Sequence, residues 1–281
     1  MRRPLVLAAL AVFLSTILRA ELPVPRDSPG ASVSGVVGIT TVRIDYHRPA
    51  VKGRAIWGGL VPYGEVWRLG ANQATTFEVT DPVQVAGKEV PAGKYGLFAI
   101  PGPETWTLIL SKRPDQWGSY FYKPEEDVLR FEVKPEPGPF TEWMTFSLLP
   151  GGRDRVTVEV AWEKLRVSFP VTVDVDRLVW ARYEAALADP KATADDYLTA
   201  ARYAQGREQR WDDAMAWIDK SLALEEGFWG HETKAQLLKR QGKTAEAISH
   251  MEKALALSKG KTPKAYQDGL EKVLAEWKAK G

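Results

Sequence analysis

The 281 residues contain no cysteine and only three histidines, His47, His231 and His250. Without thiols the chain has no disulfide, no cysteine nucleophile and no thiolate metal ligand. His47 stands alone before residue 231, so a multi-histidine metal centre in that part of the chain is excluded, and neither a metal nor a cofactor is expected. A lone histidine beside a strand end reads as structural. Two Gly-Lys-Thr runs occur, at Gly242 and Gly260, but Leu237 and Leu255 stand where a phosphate-cradling loop needs its first glycine. The chain has no Gly-x-Ser-x-Gly elbow. The carboxylates Glu104, Asp115, Glu125, Glu126, Asp127 and Glu142 could supply an acid/base pair, yet nothing in their spacing selects two.

A long hydrophobic run is missing too. The apolar stretch Leu5 to Leu18 covers 14 residues, where a membrane span takes about 20. Arg2 and Arg3 precede it and Ala20 follows, which reads as a secretory signal over residues 1–20 and a Pro-rich linker over 21–31. Leu18 and Arg19 make an untidy cleavage site, which leaves an uncleaved anchor as the alternative. The expected location is periplasmic or extracellular, with no membrane span after signal removal. Loss of the signal takes three of the 38 Lys and Arg and leaves 35 against 36 Asp and Glu. The near-neutral remainder lacks the basic footprint of a nucleic-acid binder.

What is present divides into two halves. From residue 32 to 175, Val, Thr and aromatic residues alternate with polar ones in runs such as "TTVRIDYH", "TWTLILSK" and "RVTVEVAW", broken by Pro, Gly or Asp. Val156, Val158 and Val160 share one face, and "VAGKEV" places a hairpin turn at Gly87. These features predict an antiparallel β-sandwich or barrel-like domain. Trp106, Trp143 and Trp162 fall inside strand patterns and are expected in its core.

Over 176–281 the period becomes helical, giving an α+β chain with an all-α C-terminal domain. "WDDAMAWIDKSLAL" (211–224) aligns with "TAEAISHMEKALAL" (244–257) at a shift of 33, matching Ala214 with Ala247 and Leu222 with Leu255. The period suggests tetratricopeptide-like repeats, a surface for a protein partner. The unit is degenerate, with about two copies. Bracing of the sandwich is the alternative role.

"RPAVKGR", "LVPYGEVWRLGANQAT", "PAGKYGLF" and "DVLR" together are similar to the bacterial family called domain of unknown function 2911, over residues 33–173. The resemblance implies an exported protein, often followed by helical repeats, and no established activity. Leu69 and Gln73 depart from the family pattern, which has Thr and Glu there. If that Glu is a base or a ligand in relatives, Gln73 cannot take the role.

The stretch 48–75 is the candidate site. Between Arg43 and Asn72 lie five basic side chains, Arg43, Arg48, Lys52, Arg54 and Arg68, against Asp45 and Glu65. Guanidinium forks suit carboxylate or phosphate, and indole faces carry sugars or cations. The candidate ligand-binding residues are Arg48, Lys52, Arg54, Trp57, Tyr63, Trp67, Arg68, Asn72 and Gln73, and the candidate ligand is a small anion or carbohydrate. The competing reading is structural, with the Arg forks satisfying carbonyls and the Trp rings plugging the core. The whole favours a non-enzymatic ligand- or partner-binding β-sandwich. The alternative is a periplasmic hydrolase acting on glycans or peptides through carboxylates near this loop.

Overall fold

A computed structural model describes residues 24–280. The export signal expected over 1–20, and the start of the linker, lie outside the described residues. The chain divides into two compact units that meet at Thr172 and Val173.

The first unit is an open sandwich of two antiparallel sheets. Its strands are β1 (Gly30–Val37), β2 (Thr40–His47), β3 (Thr75–Val79), β4 (Val83–Val85), β5 (Lys88–Val90), β6 (Gly93–Ile100), β7 (Trp106–Ser111), β8 (Asp127–Val133), β9 (Glu136–Pro150) and β10 (Arg155–Thr172). One sheet runs β1-β2-β3-β6-β7-β8 and the other β5-β4-β10-β9. Tyr46 meets Phe146 across the layers at 4.8 Å, and Phe169 meets both Phe77 and Phe131. The expected turn forms between β4 and β5, with Ala86 and Gly87 both left-handed, the backbone a two-residue hairpin demands.

Strand alternation explains most of the core and one correction to it. Met144 and Phe146 take the inward positions of β9, so Trp143, expected inside, is 40 % exposed. β10 is inward at Val156, Val158 and Val160 but also at Val167, Phe169 and Val171, a change of parity. A register irregularity around Ala161 to Leu165, with Glu163 at φ 54°, makes the switch and keeps both halves of the strand facing the core. β1 escapes the sequence patterns because it is an edge strand with half-buried alternation in "GASVSGVV".

The second unit holds six helices among the described residues: α1 (Val175–Ala188), α2 (Ala194–Arg207), α3 (Trp211–Leu224), α4 (Phe228–Arg240), α5 (Thr244–Ser258) and α6 (Lys264–Lys280). α2 starts at a capping box, in which Thr193 and Asp196 satisfy each other's backbone N–H. Ala214, Ile218 and Ser221 of α3 are buried, as are Ala247, Met251 and Ala254 of α5, at the same shift of 33. Small side chains at those places let helices approach closely. No helix among the described residues is long and apolar enough to cross a membrane.

Candidate functional site

The segment from Arg48 to Ala74 carries no strand and crosses one end of the sandwich. Pro49 and Val51 pair with β9, through Met144 N to Pro49 O at 3.0 Å and Val51 N to Glu142 O at 2.9 Å. Trp67 then pairs with β6, donating to Ala99 O at 2.7 Å and accepting from Ala99 N at 2.9 Å. The crossing therefore ties the two sheets together. Lys52 and Gly53 turn it with left-handed backbone, as do Leu69 and Asn72 further on.

These anchors consume two of the candidate arginines. Arg48 donates through Nε to Met144 O at 3.0 Å and through Nη2 to Thr145 Oγ1 at 2.7 Å. Arg54 donates to the Val51 and Ala50 carbonyls. Lys52 extends to Asp27 at 3.6 Å, an exposed ion pair of little energetic weight. Tyr63 lies against Gly58, where any Cβ would meet its ring at 2.9 Å. For these four residues the visible role is scaffolding.

Arg68 differs. Its Nε is buried without a hydrogen-bond partner, and no carboxylate lies within ion-pairing distance among the described residues. Burial pulls its pKa below the ordinary value, with the Tyr120 phenol opposing that shift. The guanidinium nonetheless stays charged. Arg68, Arg54, Asn72, Ser28, Trp67 and Trp162 line a cleft of about 290 Å³. Asn72 is fixed there by a hydrogen bond from its side-chain amide to Ser28 O at 3.1 Å.

Trp67 and Trp162 of the cleft wall belong to a cluster of four tryptophans. Trp67 and Trp162 stack at 5.9 Å and 20°, while Trp57 lies edge-on to Trp67 and Trp162 and 4.9 Å from Trp106. Trp67 Nε1 donates to Gly70 O at 3.1 Å. The indole N–H groups of Trp57, Trp106 and Trp162 have no acceptor among the described residues. The rings enclose a residual space of about 10 Å³, the size of one water. The structure thus brings Arg54, Trp67, Arg68 and Asn72 together, with Trp57 one layer behind. It adds Trp162, which the strand pattern had marked as core.

Gln73 points the other way. It accepts from Arg26 Nη1 at 3.2 Å and lines a second cleft of about 450 Å³ on the outer face of the six-stranded sheet. His47, Asp45 and Asp115 line it too. Burial and the nearby Arg26 and Arg68 hold His47 below its ordinary pKa, so the ring is neutral at pH 7. The hydrogen bond from Arg43 holds Asp45 below the usual carboxylate range. Sequence spacing gave no signal for this cleft, because its residues come from five separated segments.

A family model described as protein of unknown function (DUF2911) matches residues 28–171. The chain belongs to this family. The DUF2911 region takes in the sandwich strands, all but the last residue of β10, and every residue named around the Arg68 cleft, from Ser28 to Trp162. No curated protein and no solved structure matches the chain.

Proposed function

We propose that the DUF2911 domain is a non-enzymatic binding module for a small anionic ligand, seated against Arg68 beside the Trp67 and Trp162 pair. The observation that carries this reading is Arg68, a guanidinium in the cleft wall with no carboxylate partner and an unpaired Nε, beside Trp162, a second wall residue whose N–H is also unpaired. A carboxylate or phosphate accepts several such donors at once. An unpaired buried guanidinium is costly in a scaffold, and a ligand or water that supplies the missing acceptor removes the cost.

The protein works outside the cytoplasm on this reading, since residues 1–20 have the order of a secretory signal. The paired helices α2–α3 and α4–α5, with buried positions repeating every 33 residues, support a degenerate tetratricopeptide-like surface for a protein partner. A hydrolase would need a carboxylate held protonated opposite a second one. Asp45 and Asp115 do share the outer cleft, but the Arg43 bond pushes Asp45 in the opposite direction.

The test is native mass spectrometry of the protein as purified from its own cells, beside Arg68→Ala. The expected result is a bound small anion that disappears in the variant while its melting temperature stays within about 2 °C. A drop of several degrees in Arg68→Ala, with no ligand on the wild type, would end the reading and leave the stretch as scaffold.

A further inference from the structure

The outer cleft has the opposite chemical character from the Arg68 cleft. Its walls are fixed, since Ala74 N donates to Gln116 O at 2.8 Å and Gly118 N to Asn72 O at 3.0 Å, which straps the 116–118 segment to 72–74. Gln116 is 4 % exposed, and its Nε2 donates to Arg113 O at 2.9 Å, which fixes the amide so that Oε1 is the free end. Gln116 Oε1 and the buried Thr76 Oγ1, both in the cleft wall, have no hydrogen-bond partner among the described residues. Gln116 Oε1 can only accept and the Thr76 hydroxyl can accept or donate, whereas the unmet groups around Arg68 only donate.

Charge narrows the occupant. Asp45 in the wall is already paired with Arg43 at 2.7 Å and with Lys94 at 3.9 Å, which leaves Asp115 to oppose an anion. The positive field of Arg26 and Arg68, felt at His47, opposes a cation. What remains is a neutral molecule rich in hydrogen-bond donors. Trp117 borders the cleft half-exposed, its ring backed by the Arg26 guanidinium at 5.0 Å, and Tyr120 and Phe121, close by in the chain, are exposed as well. Tyr120 lies over Gly118, where a Cβ would meet its ring at 2.7 Å. An exposed indole face matches the C–H face of a pyranose.

We propose that this cleft binds a neutral oligosaccharide, one sugar inside it against Thr76, Gln116 and Asp115 and the next over Trp117. A volume of about 450 Å³ suits such an occupant. A ligand hydroxyl, or a water it carries into the wall, supplies the donor that Gln116 Oε1 lacks. The lining shares no residue with the Arg68 cleft, and the site is read with different variants.

The test is saturation-transfer NMR on the full chain with cellotriose, maltotriose and N-acetylchitotriose as probes. At least one trisaccharide is expected to receive saturation, with affinity at least tenfold weaker in Trp117→Ala, about 1.4 kcal/mol. Thr76→Val removes an unpartnered hydroxyl and keeps the fold, so it separates a sugar seated in the cleft from one lying only on the aromatic rings. Undiminished binding in Thr76→Val overturns the assignment to the cleft. No transfer from any of the three at about 10 mM, or a Trp117→Ala affinity within threefold of wild type, overturns the proposal altogether.

Discussion

At the scale of single residues, arginines close in sequence do unlike things. Arg54 spends its fork on the Val51 and Ala50 carbonyls and so closes its own turn, while Arg68 leaves a buried Nε unpaired. Removing Arg54 strands the Ala50 carbonyl, while Val51 O keeps the Arg54 backbone N–H at 3.0 Å, and a bond to a charged donor is worth about 1.5–3 kcal/mol. Removing Arg68 strands nothing. Thermal melting is therefore expected to fall by several degrees in Arg54→Ala and to stay level or rise in Arg68→Met, which keeps the aliphatic packing. A matching fall in both variants would mean that Arg68 is also a structural donor. Residue type and local charge pointed to the stretch 48–75, but that the Arg48 fork is taken depended on Met144 O and Thr145 Oγ1, brought in from β9.

At the scale of elements, the irregularity in β10 is the device that lets one long strand serve a core on both sides of a bend. Side-chain period along a strand is two, so gaining one residue exchanges the faces downstream. Inserting one alanine between Lys164 and Leu165 is expected to turn Val167, Phe169 and Val171 outward and abolish cooperative melting, read by near-ultraviolet circular dichroism. Retained cooperativity would show that another residue absorbs the shift. The runs of alternating Val and aromatics made β2, β7 and β10 legible, and the edge strand β1 was lost because an edge buries only half a face.

Between α4 and α5, His231 Nδ1 and His250 Nδ1 lie 2.8 Å apart, one donating and the other accepting, and His231 Nε2 meets Glu226 at 3.0 Å. Burial, with Lys234, His231 and Lys253 adding to it and Asp219 opposing, pushes the pKa of His250 down to about 4. A histidine with a depressed folded pKa binds its proton more readily unfolded, so its stabilising share is full above about 6.5 and is lost as pH falls towards about 4. Helical circular dichroism on heating is expected to give a melting temperature that drops between pH 7 and pH 5. His250→Gln should flatten that slope, and an unchanged slope would assign it to other groups.

At the scale of the whole molecule, two units with separate cores share one chain. The sandwich is tied by its own crossing segment and holds both clefts within residues 28–171. Residues 24–172 expressed alone are therefore expected to melt in one cooperative transition. A fragment that aggregates or melts without cooperativity would mean that the helices complete its core.

By itself the sequence determined what depends on near neighbours: strand and helix periods, the hairpin turn at Gly87, the change of period near Val175, and the family, since its motifs are contiguous. Tertiary structure decided whatever joins distant segments. It occupied the Arg48 fork with Met144 O and Thr145 Oγ1 from β9, whereas Arg54 closes a local turn, and so left Arg68 as the free fork. It stacked Trp162 on Trp67, and it built the outer cleft from strands and a loop that no spacing rule connects. The physical reason is that hydrogen-bond satisfaction is settled by whichever groups arrive in space, and a string of residues records only which groups could be asked to pair.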